Sequence, residues 1–234
     1  MPSSPASELP RSVAIILDGN SRWAAARGLS TSEGHRAGTR ALRRTVEAAI
    51  ELGIESLTVY AFSTENWMRP AGEVDDLMEI FGETIERELP DLAAQGVRTR
   101  FIGRRDRAPG WLRDAMAGLE DETAGNERLQ LWIAFDYGGR AEIVEAVKRL
   151  IANGTDPAGL DEDAFARYLY APDLPDPDLL IRTSGELRIS NFLLWQLAYA
   201  ELVFVDTLWP DFGEEQLREA LEAYAGRRRR FGGR

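Results

Sequence analysis

The sequence predicts a single α/β domain in which helices flank a central, mostly parallel sheet of six strands. Six short apolar runs, rich in β-branched residues, alternate along the chain with longer stretches of helical periodicity. The runs are continuously apolar rather than alternating, as expected of strands that are buried on both faces. Gly53, Gly96, Gly125 and Gly154 fall where helix C-termini are expected, which supports the same division.

Each element follows from these patterns in chain order. The predicted strands are Val13–Leu17, Ser56–Phe62, Val97–Gly103, Leu129–Phe135, Asp178–Thr183 and Glu201–Thr207. The predicted helices are a short one near Arg22, then Ala37–Leu52, Glu73–Gln95, Gly110–Ala124, Gly139–Asn153, Ser190–Ala200 and Glu214–Ala225. The start at residues 1–11 is polar and rich in Pro and Ser, and predicts a disordered lead before a domain at 12–226. Residues 227–234 form a basic tail.

Residues 191–209 are apolar enough to raise the question of a membrane span. Glu201 and Asp206 lie within this stretch, and each carboxylate would cost about 2.5–3.5 kcal/mol at the bilayer centre. We therefore predict a buried helix that leads into a buried strand, and a cytoplasmic protein.

Composition limits the function further. The 28 basic and 39 acidic residues give a net charge of −11, which disfavours nucleic acid as a partner. The chain has no cysteine and one histidine, His35, so thiol chemistry and multi-histidine metal sites are excluded. Phosphate-loop, dinucleotide and nucleophile-elbow motifs are absent. A phosphorylated substrate is still compatible, because local arginine clusters can override the overall charge.

Ligands of parallel sheets gather beyond the carboxyl ends of the strands, so the residues that follow each strand are informative. Four of the predicted strands are followed by small, anionic or arginine residues, which is typical of a phosphate-handling site. These segments are Asp18–Trp23, Ser63–Arg69, Asp136–Arg140 and Arg182–Asn191.

Two of these segments carry the strongest signals. Asp18-Gly19-Asn20 would let backbone N–H groups bind a phosphate, with Mg²⁺ between the phosphate and the Asp18 carboxylate. The same three residues are also common in ordinary turns. Arg182 and Arg188 can grip phosphate oxygens in two-point contacts, although surface arginines often have no such role. A charge at the end of a buried strand is costly when unpaired, and this favours the functional reading of Arg182.

The other candidates are weaker when taken alone. Ser63–Trp67 could orient a substrate or be an ordinary polar loop with a packing tryptophan. His35 could donate to a departing diphosphate or be structural. The stripe of Val74, Leu77, Met78, Ile80, Phe81, Ile85 and Leu89 predicts core packing, and it could also line a tunnel.

Several long segments together resemble the undecaprenyl diphosphate synthase family of cis-prenyltransferases, and the resemblance runs from about Ser12 to Gly233. The segments are VAIILDGN from Val13, GHRAG from Gly34, YAFSTENWMRP from Tyr60, DLLIRT from Asp178, RISNFLLWQ from Arg188 and LWPDF from Leu208. The resemblance implies a homodimer with a hydrophobic tunnel. It also implies Mg²⁺-dependent condensation of isopentenyl diphosphate with an allylic diphosphate such as farnesyl diphosphate. The product would be a medium- or long-chain Z-polyprenyl diphosphate, a precursor of a cell-wall lipid carrier, released through peripheral membrane contact.

The resemblance also implies residue roles. Asp18 and Asn66 would be catalytic, and Asp18 and Glu201 would hold the metal. The tail segment Arg230-Phe231-Gly232-Gly233 would reach the site of the partner subunit. The residues that would bind the substrates are Gly19, Asn20, Ser21, Arg22, Trp23, His35, Ser63, Thr64, Glu65, Trp67, Arg69, Arg182, Arg188, Ile189 and Ser190.

The chain departs from the family pattern at Ser12, Ser21, Ser184 and Thr31, and Thr31 puts one diphosphate contact in question. Ala61 and Leu129 would face the tunnel. Two rival readings stay open at this point: a partner subunit without activity, and another phosphate-handling α/β enzyme such as a phosphatase.

Overall fold

The computed structural model describes residues 9–226, so the first part of the predicted lead and the whole basic tail lie outside the described residues. Its strands are β1 Ser12–Ile16, β2 Ser56–Tyr60, β3 Val97–Ile102, β4 Leu129–Ala134, β5 Leu179–Arg182 and β6 Glu201–Phe204. Its helices are α1 Asn20–Ala25, α2 Thr31–Glu51, α3 Ala71–Arg87, α4 Leu89–Ala94, α5 Gly110–Glu122, α6 Gly139–Ala152, α7 Glu162–Ala166 and α8 Glu214–Ala225. Short 3₁₀ helices lie at Thr64–Met68, Pro157–Gly159 and Trp209–Asp211.

The six strands form one sheet in the order β3-β4-β2-β1-β5-β6, and every pair is parallel. The predicted α/β domain is therefore confirmed, and the sheet is wholly rather than mostly parallel. Strands β2, β3 and β4, which follow β1 in the chain, lie on one lateral side of β1. Strands β5 and β6 lie on its other lateral side, so the direction of winding reverses between β1 and β5. The carboxyl ends of β1 and β5 thus flank the switch point, where ligands of such sheets bind.

Alternate residues of the strands enter two cores, one on each face of the sheet. On β1, Val13 and Ile15 join the larger core, which also holds residues of α2, α3, α4, α5 and α8. Ala14 and Ile16 join a smaller core with Tyr60, Phe192 and Leu193. The face of the sheet covered by α2, α3, α4, α5 and α8 thus supplies most of the buried apolar surface, and burial of apolar surface is the main favourable term in folding.

Two of the predicted helices are wrong. The region Glu73–Gln95 contains two helices instead of one, α3 and α4, because Pro90 has no N–H group and cannot continue a helix. The region Ser190–Ala200 forms turns, and Ser190, Asn191 and Leu193 have positive φ angles of 47°, 63° and 42°. Contacts made by this segment with Tyr60 and with the start of α6 outweigh its helical pattern.

One helix boundary and the burial of one strand also differ from the prediction. Helix α2 begins at Thr31 rather than Ala37, because Ser30 and Glu33 form a capping box. Strand β6 lies at the edge of the sheet and is partly exposed, so it is not the buried strand that was predicted. No helix within residues 9–226 is long and apolar enough to cross a membrane.

Candidate active site

A cavity of about 640 Å³ opens at the carboxyl ends of β1, β2 and β5. Its mouth is polar and its interior is apolar. Twelve of the residues predicted for the site line it, namely Asp18, Gly19, Asn20, Ser21, Arg22, His35, Ser63, Glu65, Asn66, Arg69, Arg182 and Ser190. One chain thus brings the segments that follow three separate strands to one opening.

Asp18 lies at the centre of the polar mouth, two residues beyond β1. Its Oδ2 accepts a hydrogen bond from Arg182 Nη2 at 2.8 Å, and its Oδ1 accepts one from Arg22 Nη2 at 3.1 Å. Burial alone would raise the pKa of Asp18, but hydrogen bonds from Arg182 and Ser184 and the charges of Arg182 and Arg22 lower the pKa below its ordinary value. The carboxylate is therefore ionised at neutral pH.

The backbone around Asp18 is fixed by the loops that follow β5 and β6. Thr183 Oγ1 donates to the Asp18 carbonyl at 2.6 Å and accepts from the Asp18 N–H at 2.8 Å. Gly19 has a φ of 113°, which side-chain-bearing residues rarely adopt, and a Cβ there would meet Leu208 at 2.9 Å. Glycine is thus required at this position both by conformation and by space.

Arg182 ends β5 and is only 4% exposed. Besides Asp18, its guanidinium donates to Ser190 Oγ at 2.7 Å and to the Arg188 carbonyl. The Arg188 side chain is 60% exposed and pairs with Glu186. The predicted arginine pair is therefore asymmetric: Arg182 is built into the site, and Arg188 lies at its rim and does not line the cavity.

Asn66 lies in the 3₁₀ helix Thr64–Met68, and its Oδ1 accepts the Ser63 N–H at 2.8 Å. Glu65 accepts from Asn191 Nδ2 at 3.0 Å and from Thr64 Oγ1 at 3.0 Å. Burial would raise the pKa of Glu65, but hydrogen bonds from its own backbone and from Asn191 and Thr64 lower it overall. This segment therefore offers an oriented amide and an ionised carboxylate.

His35 lines the mouth from the second turn of α2. Burial, with a smaller effect of the nearby Arg69 charge, lowers the pKa of His35 to about 4, so the ring is neutral at pH 7. Within residues 9–226, His35 Nε2, Asn20 Oδ1 and Arg182 Nε are buried polar atoms without a hydrogen-bond partner. Three unsatisfied polar atoms around one opening are what a polar ligand or ordered water would satisfy.

Five of the predicted substrate-binding residues do not line the cavity: Trp23, Thr64, Trp67, Arg188 and Ile189. Trp23 Nε1 donates to Asp211 at 2.7 Å, outside the mouth. Trp67 packs edge-on against Phe62 behind the mouth, with ring centroids 5.1 Å apart. These tryptophans support the loops that carry the site instead of forming its wall.

The structure does not bring Glu201 to Asp18 within one chain. Glu201 begins β6 and pairs with Leu179, at the start of β5, whereas the Asp18 contact is with Arg182 at the end of β5. Three residues of strand separate the two ends by about 10 Å. No cluster of three or more possible metal-ligating side chains occurs in the part of the chain that the structure describes. Of the predicted metal pair, only Asp18 lies at the cavity.

Asp136, at the exit of β4, also has a different environment from the one expected. It is fully buried, and its Oδ2 accepts from Arg107 Nε at 2.9 Å. It does not line the cavity, so only three of the four expected strand exits contribute to the site.

The sequence reasoning missed several lining residues. Tyr60, Gly38, Thr39, Asn191 and Trp209 line the cavity as well. Tyr60 and Asn191 lie in the segments YAFSTENWMRP and RISNFLLWQ, which also hold Ser63 and Ser190, and this proximity is the sequence signal for both. Gly38 admits the side chain of Asn20, which a Cβ would clash with, and Trp209 Nε1 donates to the Gly38 carbonyl at 2.9 Å.

The apolar part of the cavity lies between the sheet and helices α2 and α3. Of the predicted stripe, Val74 and Met78 enter the core without lining the cavity, and the other members line it. Ala61 lines it as predicted for the tunnel wall, but Leu129 does not. The apolar lining residues are Ile16, Leu17, Leu42, Ala61, Leu77, Ile80, Phe81, Ile85, Leu89, Phe101 and Ile133.

The parallel sheet, the arginine-carboxylate cluster at its switch point and the apolar cavity beneath that cluster together define a class of protein, an α/β enzyme that handles a substrate with a charged end and an apolar end. The chain matches the family model described as putative undecaprenyl diphosphate synthase over residues 16–232. It is 51% identical to an isoprenyl transferase of Fusobacterium nucleatum, over 96% of each chain. It is 50% identical to a farnesyl-diphosphate-specific ditrans,polycis-undecaprenyl-diphosphate synthase of Xanthomonas oryzae, over 99% of this chain and 91% of that one.

Solved structures agree with the sequence matches. A lavandulyl diphosphate synthase from Lavandula x intermedia, in complex with dimethylallyl diphosphate, superposes with a TM-score of 0.93 at 39% identity, covering 96% of this chain and 98% of that one. A probable undecaprenyl diphosphate synthase from Campylobacter jejuni gives a TM-score of 0.80 at 32% identity, covering 96% and 99%. The chain belongs to the undecaprenyl diphosphate synthase family and is a prenyl transferase.

Proposed function

We propose that this enzyme is a Mg²⁺-dependent cis-prenyltransferase that condenses isopentenyl diphosphate with an allylic diphosphate, farnesyl diphosphate or a similar primer. The product is a medium- or long-chain Z-polyprenyl diphosphate, which serves as a lipid-carrier precursor in the cell wall pathway. One observation carries the proposal. A single cavity joins the Asp18, Arg22 and Arg182 cluster to an apolar space bounded by α2 and α3.

The donor set at the mouth fits Mg²⁺. This ion is commonly held by one or two carboxylates together with phosphate oxygens of the substrate and water, so a single protein carboxylate is enough. Asp18 is that ligand, because it is ionised and its side chain is 27% exposed at the cavity. Arg22 is 49% exposed and its contact with Asp18 is the longer one, so Arg22 can exchange Asp18 for phosphate oxygens. When bound, Mg²⁺ neutralises the diphosphate charge that develops on departure.

The two substrates take opposite sides of Asp18. Gly19, Asn20, Ser21, Arg22 and His35 hold the allylic diphosphate. Arg182 and Ser190 hold isopentenyl diphosphate, and Arg188 closes over it from the rim. Guanidinium groups suit this task because their fork matches two phosphate oxygens at once.

In the reaction, the allylic carbon–oxygen bond breaks, and the diphosphate leaves with the electron pair. The double bond of isopentenyl diphosphate then bonds to the allylic carbon. The carbon beside the resulting cation loses its proton to a diphosphate oxygen or a water molecule, and the C–H electron pair forms the new double bond. Arg22, on the allylic diphosphate, lowers the barrier because it faces the leaving oxygens where the charge develops. Asn66 orients isopentenyl diphosphate or a water molecule, because a neutral amide is too weak a base to take the proton itself.

The growing chain enters the cavity between α2, α3 and the sheet, where each added CH₂ group gains about 0.8 kcal/mol on leaving water. Leu77, Ile80 and Phe81 of α3 supply one wall, and Phe101 and Ile133 lie on the sheet side. This apolar gain favours extension over early release.

We further propose that the enzyme is a cytoplasmic homodimer with transient membrane contact for product release. Helix α6 exposes Val144, Val147 and Ile151, with Ile151 75% exposed, and the neighbouring Leu160 is 40% exposed. Such a contiguous apolar surface is typical of a subunit interface. The partly exposed edge strand β6 supports the same assignment.

The decisive assay supplies labelled isopentenyl diphosphate with geranyl, farnesyl or geranylgeranyl diphosphate and Mg²⁺, and resolves products by chain length. Condensation predicts that inorganic diphosphate is released only when both substrates are present. A phosphatase would release orthophosphate without isopentenyl diphosphate. An inactive partner subunit would release neither, and either result would refute the proposal.

A further inference from the structure

The turn that follows Arg188 has an unusual backbone. Ser190, Asn191 and Leu193 all have positive φ angles, a region that residues with side chains rarely adopt. Such conformations persist only where the surroundings hold them, and they concentrate at functional sites. Two residues outside the predicted site, Tyr60 and Asn191, supply the contacts that hold this turn.

Tyr60 supports the turn from the sheet. It ends β2, is 8% exposed and lines the cavity. Its ring stacks on Phe192, with centroids 4.4 Å apart and an interplanar angle of 9°. Its hydroxyl donates to the Tyr137 carbonyl at 3.1 Å and to the Ser190 carbonyl at 3.4 Å. Tyr60 therefore contacts the turn through both its ring and its hydroxyl.

Asn191 connects the turn by hydrogen bonds to the start of α6 and to Glu65 of the 3₁₀ helix Thr64–Met68. Its carbonyl accepts the Gly139 N–H at 2.7 Å, and its Oδ1 accepts the Arg140 N–H at 2.9 Å, so it caps the start of α6. Its Nδ2 donates to Glu65 Oε1 at 3.0 Å, across the mouth of the cavity. One side chain thus connects the turn to α6 and to the 3₁₀ helix that carries Asn66.

The turn presents the Ser190 hydroxyl to Arg182, with Ser190 Oγ 2.7 Å from Arg182 Nη1. We infer that Tyr60 and Asn191 are positioning residues for the isopentenyl diphosphate half of the site. They hold the turn so that Ser190 and Arg182 face one phosphate group together. This inference rests on the proposed function, because that function supplies the substrate.

The first test compares Tyr60→Phe with Tyr170→Phe. Tyr60→Phe keeps the stacked ring and removes the hydroxyl, with its hydrogen bonds to the Tyr137 and Ser190 carbonyls and to the Ser63 side chain. Tyr170 lies in the same core, and its hydroxyl has no hydrogen-bond partner within residues 9–226, so it is a matched control. Loss of a hydrogen bond should raise KM for isopentenyl diphosphate about fivefold. KM for the allylic diphosphate should stay the same, and the melting temperature should fall by only a few degrees because one buried hydrogen bond is lost. The control should match wild type in both KM values.

The second test uses charge at Asn191. Asn191→Asp keeps the oxygen that caps α6 but sets a second carboxylate against Glu65, which should raise the same KM about tenfold by displacing the turn. Glu65→Gln in the same chain restores a donor and an acceptor across the mouth. The double variant should therefore have a lower KM for isopentenyl diphosphate than Asn191→Asp alone, a coupling that independent roles would not give.

The outcomes separate the two levels of the argument. If wild type condenses the two substrates but Tyr60→Phe equals wild type, the positioning role is overturned and the proposed function stands. If Tyr60→Phe raises both KM values equally, Tyr60 is merely structural and the inference fails. If wild type shows no condensation, the proposed function fails and takes this inference with it.

Discussion

Replacement of Asp18 by asparagine tests the centre of the site most directly. The amide has the same shape as the carboxylate, but it carries no charge between Arg182 at 2.8 Å and Arg22 at 3.1 Å. It is also a poor ligand for Mg²⁺, which prefers charged oxygen. The substitution therefore has opposite effects on substrate binding without metal and on the reaction with metal.

The magnitudes follow from the charges at the mouth. Unit charges 4 Å apart interact by about 1 kcal/mol in water and about 4 kcal/mol near a protein surface. Without Mg²⁺, Asp18 repels the diphosphate and occupies two arginines, so Asp18→Asn should bind the allylic diphosphate at least about fivefold more tightly. With Mg²⁺, loss of stabilisation of the leaving charge should lower the condensation rate about 10²- to 10³-fold.

Titration calorimetry of farnesyl diphosphate with and without Mg²⁺, together with single-turnover condensation, measures both effects. Circular dichroism at neutral pH checks that both proteins are folded. The lowered pKa of Asp18 keeps the wild-type ion pairs intact there, and they weaken only as the pH falls through that pKa. Two results would refute the reasoning: condensation within threefold of wild type, or metal-free binding that is weaker than that of wild type.

Three other predictions follow from single contacts. The pKa of His35 falls from 6.5 to about 4 on folding, so wild type should lose about 3 kcal/mol of stability from this residue as pH drops from 6.5 to 4. Urea unfolding across that range should show a smaller loss for His35→Asn, and equal losses would contradict the burial argument. Arg107→Ala leaves the buried Asp136 carboxylate without its guanidinium, and should lower the free energy of unfolding by about 3 kcal/mol; a loss below about 1 kcal/mol would show that Asp136 is otherwise satisfied. Ala61→Phe fills the cavity and should shorten the products, whereas Phe101→Ala enlarges it and should lengthen them. Chromatography of labelled products measures the change in chain length in each variant. Unchanged product lengths in both variants would show that the growing chain does not occupy this cavity.

Much of the fold could be read from local pattern. All six strands were predicted within a few residues. The four inner strands, β1, β2, β4 and β5, are continuously apolar because they are buried on both faces, so their sequences alone identify them. Helix α8 has the predicted bounds, Glu214–Ala225. The starts of α2 and α4 are set by the capping box of Ser30 and Glu33 and by Pro90, and both of these signals are local in the sequence.

The region after Ser190 could not be predicted in the same way. Its apolar residues have a helical pattern, yet Phe192 stacks on Tyr60 and Asn191 caps α6, and these contacts are distant in sequence. The same long-range contacts bring Asn191 and Tyr60 into the site. Tertiary packing therefore decided the backbone where local propensity was weak.

The sequence by itself determined the α/β class, the strand exits and the polar residue types at those exits, because these depend on local polarity and on the rule that ligands meet the carboxyl ends of parallel strands. Only the tertiary structure decided which exits converge. Strand order brought Asp18 and Arg182 within 2.8 Å, put Glu201 at the opposite end of β5 and β6, and turned Asp136 towards Arg107. Neighbours in a sheet are chosen by the packing of the whole chain, and no local pattern contains that choice.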